Sequence, residues 1–62
     1  MITIGDLLCI RFIDTDTKII IYQEKSIIFQ GKYTEMDNSL FSKSVIAFSY
    51  KTYKNLLNVA IL

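Results

Sequence analysis

Apolar positions in this chain come in short runs separated by polar, turn-forming residues, and their period changes along the sequence. Ile4, Leu7, Leu8 and Phe12 recur at helical spacing. Thr3 ahead of them is an N-cap residue, and Asp6 stands three positions later, where a capping-box acid returns a bond to the cap. This predicts a short helix over residues 4–11, although Gly5 weakens it by about 1 kcal/mol against Ala. Leu8, Ile10 and Phe12 also alternate against Cys9, Arg11 and Ile13, as a strand would. Both readings stand on sequence alone, with the helix preferred.

Asp14, Thr15 and Asp16 are turn residues whose side chains bond to nearby backbone. Residues 17–23 follow, β-branched and aromatic, with Ile19 and Ile21 on one face and Ile20 and Tyr22 on the other. A strand apolar on both faces belongs in the middle of a sheet. After a turn at Gln23, Glu24 and Lys25, residues 26–31 form a second strand, placing Ile27 and Phe29 opposite Ile28 and Gln30. Thr34 and Asp37 are cap residues for one helical turn ending at Leu40 and Phe41. Residues 43–51 form a third strand with Ile46, Phe48 and Tyr50 against Val45, Ala47 and Ser49. Residues 52–55 turn, and in residues 56–62 Leu57, Val59 and Ile61 alternate with Asn58 and Ala60. The expected product is one α+β domain spanning residues 1–62. Its order is α-β-β-α-β-β, a four-stranded antiparallel sheet built from hairpins with one or two short helices.

Composition adds an imbalance. The chain has 62 residues and is 52% hydrophobic, without His, Trp or Pro. A domain of this size buries only about 60% of the surface its unfolded chain exposes. The apolar surplus therefore predicts self-association, with an isologous homodimer the simplest closed form. Ile20, Tyr22, Phe48 and Tyr50 are the candidate interface, because a helix layer on one face leaves large residues on the other.

Candidate chemistry is sparse. Without His there is no general base with an ordinary pKa near neutrality. Five serines lack an evident activating partner, and two glycines cannot build a phosphate loop. The chain is read as a non-enzyme without a cofactor. Asp14-x-Asp16 begins like a calcium loop, but Ile19 and Lys25 occupy the positions that need Gly and Glu, so the acids are read as turn caps. Cys9 is alone, cannot form an internal disulfide, and is read as a small buried hydrophobe. No secretory leader or membrane-spanning run is visible, which predicts a soluble cytoplasmic protein without membrane contact.

Charge is uneven: residues 1–37 carry a net −2, and residues 38–62 a net +3 with no acid. Lys32, Tyr33, Tyr50, Lys51, Tyr53 and Lys54 interleave bases with aromatics, as surfaces for single-stranded nucleic acid do. This is the alternative function. Lysines in turns and at strand ends also occur for solubility alone.

The landmarks Thr3-Ile4-Gly5-Asp6-Leu7-Leu8, Lys18-Ile19-Ile20-Ile21-Tyr22, Ile28-Phe29-Gln30-Gly31 and Ser39-Leu40 before Val45-Ile46 carry a resemblance. Their order resembles that of very short, uncharacterised proteins encoded by phages and mobile elements of Gram-positive bacteria. Those proteins usually have a more acidic, Gly-containing turn where Glu24, Lys25 and Ser26 stand here. The resemblance implies a small protein that binds a larger host protein and modulates it, for example by inhibition. It carries over no functional residue.

Overall fold

The structure, a computed structural model, describes residues 2–9 and 13–62. Helix α1 (Ile4–Leu8) starts as its sequence requires. Thr3 Oγ1 accepts from Asp6 N–H at 3.2 Å, while Asp6 Oδ2 accepts from Thr3 N–H at 3.0 Å. The helix is shorter than expected, and the expected positions Ile10, Arg11 and Phe12 lie outside the described residues. Gly5 is explained by what lies beneath it. Its N–H donates to Phe41 O at 2.9 Å, and a Cβ here would meet that oxygen at 3.2 Å. Cys9 follows the helix on the exposed surface, so the expectation of a buried thiol is corrected: Ile4 and Leu7, not Cys9, face inward.

Four strands follow: β1 (Lys18–Gln23), β2 (Ser26–Gly31), β3 (Val45–Lys51) and β4 (Leu56–Ile61), in the spatial order β2-β1-β4-β3. Both hairpins, β1–β2 and β3–β4, are antiparallel, but β1 and β4 run parallel in the centre. The sheet is mixed, which corrects the all-antiparallel expectation. The cause is the path of residues 32–44. β2 ends beside the start of β1, and the connection climbs the height of the sheet before β3 descends, so β4 rises alongside β1. On the way it makes two 3-10 turns, Tyr33–Glu35 and Asn38–Leu40. Asp37 caps the second by accepting from Ser39 N–H at 2.9 Å, as its sequence predicts. Thr34 lies inside the first turn and caps nothing; there Glu35 Oε1 accepts from Lys32 N–H at 3.0 Å. Gly31, at φ +152°, makes that entry, and a Cβ on it would press on Glu35 Oε1 at 3.0 Å.

The core lies on one face of the sheet only. Ile19 and Ile21 of β1, Leu57, Val59 and Ile61 of β4, and Val45 of β3 bury against Ile4, Leu7 and Met36. Phe29, Tyr33, Leu40, Phe41 and Tyr50 pack around them. Each edge strand carries a bulge, at Ile28 and at Ile46. These bulges overturn two expected face assignments, because one extra residue reverses the alternation beyond it. Phe29 opposes Ile21 over the core while Ile27 opposes Tyr22 on the other face. Likewise Val45, Phe48 and Tyr50 oppose Ile61, Val59 and Leu57, leaving Ala47 and Ser49 on the far side.

Candidate interaction surface

The face of the sheet turned away from α1 has no covering element among the described residues. Its side chains follow from the strand register. Lys18, Leu56 and Lys51 form a row at one end; Gln30, Ile20, Asn58 and Ser49 form the next; Ile27, Tyr22, Ala60 and Ala47 form the third. The face therefore grades from basic, through amide and hydroxyl, to apolar along the strands. Across the strands it grades in size. The β2–β1 half presents Ile27, Ile20 and Tyr22, while the β4–β3 half presents Ala60, Ala47, Asn58 and Ser49. The small half is a shallow hollow of about 220 Å³, bordered by Tyr22 and floored by Ala47, Ser49, Asn58 and Ala60.

The four residues expected to form an interface are split by the bulged register. Ile20 and Tyr22 lie half-buried on this open face. Phe48 is 46% exposed on the opposite side of the β3 edge. Tyr50 packs against the core, and its hydroxyl donates to Asn55 Oδ1 at 2.9 Å. Sequence reasoning missed Ala47, Ala60 and Ile27. Small residues in a strand give no signal of their own, and regular alternation puts Ile27 on one face with Phe29, which the bulge undoes.

The lysine–tyrosine positions gather at one end of the sheet. Gly31 ends β2 beside Ile19, and Lys51 ends β3 beside Leu56 and Lys18, so Lys18, Lys32 and Lys51 share that end with the 52–54 turn. Lys18 is a member that sequence spacing did not reveal. Tyr33 and Tyr50 turn into the core rather than outward. Tyr53 is 77% exposed, with Lys54 Nζ 5.6 Å from its ring centre, and Lys32 Nζ lies 3.9 Å from Asp16 Oδ1.

Asp14 and Asp16 work as a turn. Asp14 Oδ1 accepts from Asp16 N–H at 2.9 Å, and that bond, with help from the Thr17 hydroxyl, holds the Asp14 carboxyl below its ordinary range. Among the described residues, no three His, Cys, Asp or Glu side chains converge as a metal site, and no helix is long and apolar enough to cross a membrane. Comparisons with protein-family models, with curated proteins and with solved structures found no significant match.

Proposed function

We propose that this chain is a non-catalytic protein-interaction module that acts as a homodimer through the open face of its sheet. One observation carries the reading: the open face is bulky over its β2–β1 half and small over its β4–β3 half. A two-fold axis parallel to the strands, passing between β1 and β4, places β1 of one copy over β4 of the other and β2 over β3. Each Tyr22 then sits above the partner copy's Ala60 beside the Ala47 hollow, and each Ile27 sits above Ala47. Bulky side chains meet small ones in both directions, as an isologous contact requires. Sheets stacked this way pack about 10 Å apart, which these side chains fill. The 52% hydrophobic content supports the same reading, because one copy leaves Ile20, Tyr22 and Ile27 only partly covered.

The larger partner that the resemblance to phage and mobile-element proteins implies, a host protein bound and modulated, belongs to the same reading. It would meet a surface the dimer leaves free. Light scattering on the purified chain at micromolar concentration tests the dimer: twice the 7.2 kDa chain mass is expected, and a folded single chain at every concentration overturns it.

A further inference from the structure

Part of the outer side of β3 is already in use. Val45 N–H donates away from β4 to Ile2 O at 2.9 Å, and Ile4 N–H donates to Lys43 O at 3.0 Å. Thr3 bridges Ser44 between them as an antiparallel partner. A short extended piece of the chain, residues 2–4, thus adds to this edge as a strand beside residues 43–45. Val45 and Phe48 oppose Ile61 and Val59, which are two apart on β4, so they share one backbone orientation. The amide and carbonyl of Phe48 therefore also point away from the sheet. Beyond the bulge the edge is regular from Ala47 to Lys51, a length of about 15 Å at strand spacing.

The surroundings of this edge are apolar with basic ends. Ile46 is 64% exposed and Phe48 46%. Lys43 stands before the strand, Lys51 and Lys54 after it, and no acid occurs from residue 38 to residue 62. Among the described residues none of these three lysines is in a salt bridge. The opposite edge, β2, is different. Its flanks are mixed in charge, with Glu24 beside Lys25 at one end and Lys32, paired with Asp16, before Glu35 at the other.

We propose that the outer edge of β3 takes an extended acidic segment of a partner protein as a fifth strand. Main-chain bonds to the edge supply the pairing, and apolar side chains of the segment lie against Ile46 and Phe48. Carboxylates at its two ends meet Lys43 on one side and Lys51 and Lys54 on the other. The proposal rests on the interaction-module reading but uses the edge of the sheet, not its open face. A second copy is a poor occupant, because pairing two β3 edges brings together lysine-flanked strands with no acid to offset them.

Fluorescence anisotropy with a labelled peptide DEVTVYVED tests this, against the lysine-ended KKVTVYVKK and an acidic version N-methylated at alternate amides. The acidic peptide is expected to bind at least tenfold more tightly than either control. Replacing Lys43→Glu and Lys54→Glu together should weaken it at least tenfold while leaving the thermal melt in place. Equal binding of the N-methylated peptide, or indifference to the lysine exchange, overturns the proposal. So does tighter binding of an oligothymidylate, which would assign the lysines to phosphate. Self-association driven by the lysine exchange would assign the edge to a second copy and overturn it too. Tyr22→Asp, designed to break the face-to-face dimer, should bind the peptide like the parent, so a failed dimer and a failed edge give separate results.

Discussion

Thr17 Oγ1 lies 2.8 Å from Asn55 Oδ1, a residue 38 positions further along the chain. Thr17 is fully buried, and its hydroxyl also accepts from Asp14 N–H at 3.1 Å. Asn55 holds a left-handed conformation at φ 48°, accepts from the Tyr50 hydroxyl, and gives its carbonyl to Lys18 N–H at 3.0 Å. One buried hydroxyl and one amide thereby fasten the turn before β1 to the β3–β4 connection and set the register of the parallel pair. Thr17→Val keeps the shape but leaves Asn55 and Asp14 N–H each short of a partner. It should cost about 1–3 kcal/mol, the usual penalty for orphaned buried polar groups. Urea unfolding checks this, and Thr17→Ser should retain most of the stability.

Ile21→Ala deletes methylenes from the fully buried face of β1 and should cost about 2–5 kcal/mol. Ile20→Ala, on the open face of the same strand, should cost less than half as much in dilute solution, where single chains dominate. Equal losses, measured by thermal melts at low concentration, would contradict the one-sided core.

Glu24 opens the β1–β2 turn at φ 59°, a conformation that strains any residue with a Cβ. Glu24→Gly should stabilise by about 0.5–1 kcal/mol, the relief of left-handed strain less the added chain entropy of glycine. Denaturant midpoints of the two proteins decide it.

The Asp6, Asp14 and Asp37 carboxyls are each held below the ordinary carboxylate range, first by the backbone N–H of Thr3, Asp16 and Ser39 respectively. A carboxyl lowered in the folded state binds fewer protons there than in the unfolded chain. Its contribution is complete above the unfolded value and is lost as pH falls through the folded one. The thermal midpoint should therefore hold steady down to about pH 5 and decline below about pH 4. Asp14→Asn should make that acid decline shallower. A midpoint that rises on acidification would contradict the bonding at all three turns.

How much of this was legible in the sequence varies by element. Thr3 with Asp6, the burial of Leu57, Val59 and Ile61, and the central place of β1 follow from local chemistry and period, and they stand in the structure. The bulges were not legible. Ile27-Ile28 and Val45-Ile46 are apolar pairs, so an extra residue leaves the hydrophobic pattern intact while it reverses the faces. The parallel centre was not legible either, because it depends on the route of residues 32–44 rather than on any strand's own residues. The candidate interface suffered accordingly: Tyr50, an aromatic at a strand end, is held inward by Asn55, while the small residues that shape the open face carry no sequence signal.

Stacking along a strand-parallel axis has an electrostatic consequence. It brings the Lys18 and Lys51 ends of both copies to the same end of the dimer. Raising ionic strength from about 0.05 M to about 0.5 M shrinks the screening length severalfold and should strengthen association. Weakening by salt would rule out this axis.

The most direct measurement is an isotope-filtered NOE experiment on a mixture of labelled and unlabelled chains. Intermolecular contacts are expected from the Tyr22 ring to the methyls of Ala47 and Ala60, with none from Ile4, Leu7 or Ile21. A folded sample with no intermolecular contacts, or with contacts confined to Ile46 and Phe48 at the edge, would contradict the face-to-face dimer.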